Sequence, residues 1–134
     1  MKPFAYLLLI FLLSSCFGDD GYYVKRTDYV SITEVSIPDS ALVSDTVQIE
    51  ATAQENNGCW RDLTFSFDSI ADTTYMLSAY GIFESEGICP EVIVTADTTI
   101  EFIPTKEGLY QFQIARNSYS STIDTMIVEE NANN

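Results

Sequence analysis

The sequence predicts an all-β fold, a single antiparallel β-sandwich of about seven strands, and three observations carry that reading. Residues 46–53 alternate strictly, with Val47, Ile49, Ala51 and Ala53 on one face and Thr46, Gln48, Glu50 and Thr52 on the other, the period-two pattern of a half-buried strand. Leu63, Phe65 and Phe67 alternate equally well against Asp62, Thr64, Ser66 and Asp68. Turn-forming clusters of Gly, Pro, Asn, Asp and Ser recur at roughly 8 to 12 residue spacing, and no segment carries persuasive helix caps. With 134 residues, 46% of them hydrophobic, the chain has the size and composition of one domain with one core. A small jelly roll or barrel is the alternative arrangement of the same strands.

At the start of the chain, Lys2, an apolar run over residues 4–13 and the small residues Ser14 and Ser15 follow one another, the three parts of a secretory signal in their usual order. The run is about ten residues, against the 18 or more that span a bilayer, so export with cleavage is expected rather than a retained helix. Its end, Leu13-Ser14-Ser15-Cys16, resembles the lipobox of bacterial lipoproteins. That resemblance implies cleavage before Cys16, a diacylglyceryl group on the Cys16 thiol and acylation of the new N-terminus. Several acyl chains at ~0.8 kcal/mol per buried methylene anchor a protein stably. Residues 1–15 are then the signal peptide and residues 16–28 the lipidated Cys with a flexible acidic tether. Asp19 and Asp20 in that tether resemble the short acidic signal that sends lipoproteins of some Gram-negative groups to the outer face of the outer membrane. An outer-membrane, lipid-anchored location is the expectation, with the surface side favoured over the periplasmic one.

The folded domain is expected over residues 29–129. In its first strand, residues 29–37, Val30 and Ile32 share one face and Val35 and Ile37 the other, a phase change that predicts a bulge or a strand switching sheets. After the strands at 46–53 and 62–68, residues 68–74 read as a loop. Residues 75–83 are apolar on both faces, as a central strand is. Residues 92–96 and 100–103 read as two short strands with a bend at Asp97-Thr98-Thr99. Then Gly108-Leu109-Tyr110-Gln111-Phe112-Gln113-Ile114 enters a strand through a Gly-containing turn, with Tyr110, Phe112 and Ile114 facing the core. This pattern resembles the tyrosine corner of immunoglobulin-like sandwiches, which implies that fold for the domain. Phe112 occupies the position where antibody domains carry a Cys, so the inter-sheet disulfide of that family is absent. A polar hairpin at 116–121, a last strand at 122–129 and a disordered tail at 130–134 complete the chain.

Besides Cys16, the cysteines are Cys59 and Cys89. In an oxidising compartment two leftover cysteines form a structural disulfide. The competing zinc pair lacks partners, because the chain has no His and no CxxC.

Function classes narrow by exclusion. A net charge of -14, with 20 acidic residues against 6 basic ones, repels nucleic-acid phosphates and gives an exported protein a soluble surface. Without His the commonest general base and metal ligand are missing. Lys25 and Lys106 lie in no Ser-Lys motif. The reading is therefore not an enzyme, with no cofactor and no metal. The chemical alternatives are a small carboxylate-dependent hydrolase and calcium held by loop acids such as Asp68 with Asp72 or Glu84 with Glu86. Trp60 is expected to pack over the cystine, with a sugar-stacking platform as its other role; Tyr80 and Tyr119 pose the same choice. The candidate binding surface joins Asn57, Trp60 and Arg61 to Glu84 and Glu86, on two loops that the disulfide brings together. The expected function is a membrane-anchored, non-catalytic recognition module for a protein or glycan ligand. A structural accessory subunit of an outer-membrane complex, pairing through a sheet edge, is the alternative.

Overall fold

Eight strands and no helix make up residues 21–132, the part of the chain that a computed structural model describes. The signal segment, the lipobox with Cys16, the tether before Gly21 and the last two residues of the tail lie outside the described residues. The strands are β1 (Val24–Ser36), β2 (Ser40–Leu42), β3 (Val47–Glu55), β4 (Trp60–Ala71), β5 (Thr74–Ser85), β6 (Val94–Phe102), β7 (Gly108–Asn117) and β8 (Ser120–Glu129). They form one curled mixed sheet in the order β2-β8-β7-β5-β1-β3-β6, with β4 on β5.

The phase change in β1 has a structural cause. Val24 to Val30 pair with β5, and Ser31 to Ser36 pair with β3, with a slip in register between Ile32 and Glu34. The extra residue lets Val30 and Ile32, and then Val35 and Ile37, all pack in the core. Bulged carbonyls need donors. Arg116 supplies one, its Nη1 donating to the oxygens of Ile32 at 2.7 Å and Thr33 at 3.4 Å.

Strands β3 and β6 hydrogen-bond to neither β7 nor β8. Even so, Val47, Ile49 and Phe102 bury in one cluster with Tyr110, Phe112, Met126 and Val128, so the sheet curls over and encloses its own core. Rings meet there edge-on, Phe102 with Tyr75 at 4.8 Å and with Phe112 at 5.8 Å, a geometry that adds to simple area burial. Tyr110 is 1% exposed. Its hydroxyl donates to the Lys106 carbonyl at 3.1 Å and accepts from the Lys106 amide at 3.3 Å, the back-bonding expected of a tyrosine corner. Gly108, at φ 131°, makes the turn that a side chain would strain.

The structure corrects four expectations. Two pairings are parallel, β2 with β8 and β5 with β7, so the sheet is not purely antiparallel. The chain between β5 and β7 crosses to the other side of the core through β6, which is what a parallel neighbour requires. Residues 97–99 are no bend, since β6 pairs with β3 over nine consecutive residues without a slip. Its polar residues Asp97 and Thr99 simply face outward. The loop expected at 68–74 is a tight turn at Asp72-Thr73 between β4 and β5. Finally, β1 begins at Val24, inside the stretch read as tether, because residues 24–28 pair with residues 81–85 of β5. No helix of the described residues is long and apolar enough to cross a membrane.

Candidate functional site

The start of β1, the start of β4 and the end of β5 lie side by side, Arg26 opposite Phe83 and Phe83 opposite Trp60. Cys59 and Cys89 are joined by a disulfide across 30 residues, with the Cα atoms 5.2 Å apart. Backbone bonds reinforce it: the Gly58 amide donates to Pro90 and the Glu84 amide to Cys59, both at 2.8 Å. Asn57 turns the chain into this bridge, its Oδ1 accepting from the Cys59 amide at 3.1 Å, an Asx-type turn.

Glu84 is the centre of the polar network at this end. Its Oε1 accepts from the Tyr23 hydroxyl at 2.6 Å, and its Oε2 accepts from Arg61 Nε at 2.8 Å and Nη2 at 2.5 Å. The Tyr23 hydroxyl first, and then Arg61, hold the Glu84 carboxyl below the ordinary carboxylate range. In return the Glu84 carboxylate raises the Tyr23 phenol and the Arg61 guanidinium. Arg61 Nη1 also meets Asp62 at 2.5 Å. Asp62 stands at φ 53° where the β4–β5 register slips between Arg61 and Thr64, so a bulge aims Arg61 across at Glu84.

Beneath the network lies an aromatic floor. Trp60 is half-buried and meets Phe83 edge-on at 5.3 Å, while the Arg26 guanidinium sits 4.6 Å from the centre of the Phe83 ring, a cation–π contact. Gly81 makes room for this packing: a Cβ there would stand 2.9 Å from Val30 Cγ2 and 3.2 Å from Trp60 Cε3. Trp60 is thus a packing residue rather than an exposed stacking platform. Of the other aromatics weighed for binding, Tyr80 packs on Tyr29 with ring centres 4.7 Å apart, and Tyr119, at 99% exposure, projects from the β7–β8 hairpin.

The structure brings Asn57, Trp60, Arg61 and Glu84 to one end, with Glu86 exposed beside them. It also adds residues that sequence reasoning left out. Tyr22, Tyr23, Ile88, Val92 and Ile93 are exposed on the same end, Ile88 at 92%. The apolar run Val92-Ile93 after Pro90 was a readable signal, whereas no local pattern announces that Tyr23 reaches Glu84. Three of the acids weighed for calcium are engaged with protein groups: Asp72 pairs with Lys106 Nζ at 2.7 Å, Asp68 accepts from Ser66, and Glu84 accepts from Tyr23 and Arg61. No group of three or more potential metal ligands occurs among the described residues.

No family model, curated protein or solved structure matches this chain.

Proposed function

We propose that this chain is an exported, lipid-anchored and non-catalytic recognition module, whose domain is an immunoglobulin-like sandwich and whose ligand-facing surface is the cystine end. The observation that carries the proposal is the exposure of Tyr22, Ile88, Val92 and Ile93 around a cross-braced polar network. Apolar groups on a rigid rim are what a protein or glycan ligand desolvates. The strand orders β1–β3–β6 and β7–β8, with the corner at Tyr110, support the immunoglobulin-like reading, since they follow the A-B-E and F-G orders of that fold. The parallel β5–β7 pair departs from it. The lipobox residues support the anchor at Cys16, on the outer membrane, and a disulfide between Cys59 and Cys89 is the bond an oxidising compartment maintains.

The anchor is tested by mass spectrometry of the mature N-terminus: an acylated Cys16 is expected, and an unmodified chain containing residues 1–15 overturns it. Recognition is tested by screening the purified protein against glycans and envelope or host proteins beside its Ile88→Asp/Ile93→Asp variant. A ligand lost by the variant supports the cystine end as the binding surface, and a ligand kept by it moves recognition elsewhere.

A further inference from the structure

The exposed edges of the curled sheet are not equally protected. β2 offers only three residues. β4 is broken by register slips at both ends, between Arg61 and Thr64 and between Ser69 and Ala71. β1 carries Lys25 and Arg26 in its first half and a bulge, backed by Arg116, in its second. Short length, bulges, Pro and charged side chains are the usual devices that stop a strand edge from accepting a partner. Of these β6 has only the acidic charges of Asp97 and Glu101, which select against an acidic partner rather than against every partner. It runs nine residues in unbroken register with β3, holds no Pro, Lys or Arg, and has only β3 as a hydrogen-bonded neighbour among the described strands. Its other side makes no ladder hydrogen bonds among the described strands, although β4 approaches part of it.

The side chains beside that edge select what can pair with it. Thr95, Asp97, Thr99 and Glu101 point outward from β6, next to Glu50 and Thr52 of β3, while Ala96, Thr98 and Ile100 point inward. A groove of about 370 Å³ crosses the same face, bordered by Glu34, Glu50, Thr52 and Asp97, and none of its lining residues is a cation. Pairing of two β6 strands would gather Asp97 and Glu101 of both copies on one face, where like charges across strands destabilise. A strand with cations at alternate positions would meet those carboxylates instead.

We propose that β6 is a strand-addition site for an extended segment of another protein, one that carries Lys or Arg at every second position and small or apolar residues between them. Main-chain hydrogen bonds to β6 provide the attachment. The alternating cations give the register, their long side chains lying over Asp97, Glu101 and the groove. This surface adjoins the cystine end only where β6 begins at Val94, and it is centred on Asp97 and Glu101.

The test uses the purified full chain in detergent micelles, with a synthetic nine-residue peptide alternating Lys and Val and a second alternating Glu and Val. Binding is followed by fluorescence anisotropy and by amide hydrogen exchange. The Lys peptide is expected to bind and to slow exchange within residues 94–102, the Glu peptide to bind at least tenfold more weakly, and Asp97→Lys/Glu101→Lys to invert that preference. Absence of Lys-peptide binding overturns the proposal. So does binding that leaves exchange at 94–102 unchanged, which would be charge attraction without strand pairing, or protection of 94–102 that grows with protein concentration alone, which would make the partner a second copy.

Discussion

At the tyrosine corner, the hydrogen bonds that close the structure join buried Tyr110 to the backbone of Lys106, four positions apart; at the cystine end, the closing links join Tyr23 to Glu84 and Cys59 to Cys89, 61 and 30 positions apart. The corner sits under the ring cluster of Phe102, Phe112 and Tyr75, so packing supplies the larger part of what holds it and the Tyr110–Lys106 bonds the smaller. The polar network at the other end is exposed, and exposed ion pairs contribute little to stability. What fixes that end is the covalent bond and the aromatic floor of Trp60 and Phe83. A surface held by a bond rather than by burial can present Ile88, Val92 and Ile93 to solvent without the rest of the core loosening.

Substitutions at the corner, the cystine and Gly81, and then a change of pH, break or sharpen this contrast. Tyr110→Ala removes a buried ring and should cost about 3 to 5 kcal/mol in urea unfolding, by analogy with other large aromatic truncations; the smaller Tyr110→Phe change should cost about 1 to 2 kcal/mol by leaving Lys106 groups unpaired. A loss in Tyr110→Phe as large as in Tyr110→Ala would mean that the hydroxyl, not the ring, holds the corner. Cys59→Ser with Cys89→Ser should cost roughly 3 to 4 kcal/mol through the freed unfolded chain, measured as a lower midpoint relative to the oxidised protein. An unchanged midpoint would mean the bridge contributes nothing. Gly81→Ala should cost about 1 to 3 kcal/mol, since its Cβ must displace the stiff, buried Val30 or the Trp60 ring, and near-UV circular dichroism of Trp60 should change with it.

The smallest effect is a pH dependence at the cystine end. Because the Glu84 carboxyl titrates below its ordinary range in the folded protein, its contribution is complete above the unfolded value and is lost as the pH falls through the folded one. Acidification should therefore free Tyr23 and speed amide exchange at the start of β1 before the core responds. Glu84→Gln should abolish that acid step, and an identical pH profile in the variant would assign it to another carboxylate.

What was legible in the sequence follows the same division between near and distant partners. The alternation over 46–53 became β3, the phase change after Ile32 became a bulge with a change of pairing strand, and the Gly108-to-Phe112 pattern became a buried corner, because each is written in neighbouring residues. The cystine was legible only because the chain left two cysteines to pair. In the sequence β6 reads as two short strands because Asp97-Thr98-Thr99 resembles turn material, yet an edge strand tolerates polar residues on its outer face. The first half of β1 lacks apolar alternation because exposed Arg26 stands opposite Phe83 at the rim, its guanidinium covering that ring as amphipathic side chains do. At the site, Arg61 and Glu84 were named from their loops, whereas Tyr23 and the crossover that makes β5 parallel to β7 depend on long-range pairing that no local period encodes.

The measurement that tests the contrast most directly is amide hydrogen exchange of the folded protein with and without a disulfide reductant. Reduction should raise exchange at residues 22–26, 56–62 and 82–93 while residues 106–116 keep their protection. Equal loss of protection at both ends, or no change at the cystine end, would contradict the division between a packed corner and a covalently held cystine end.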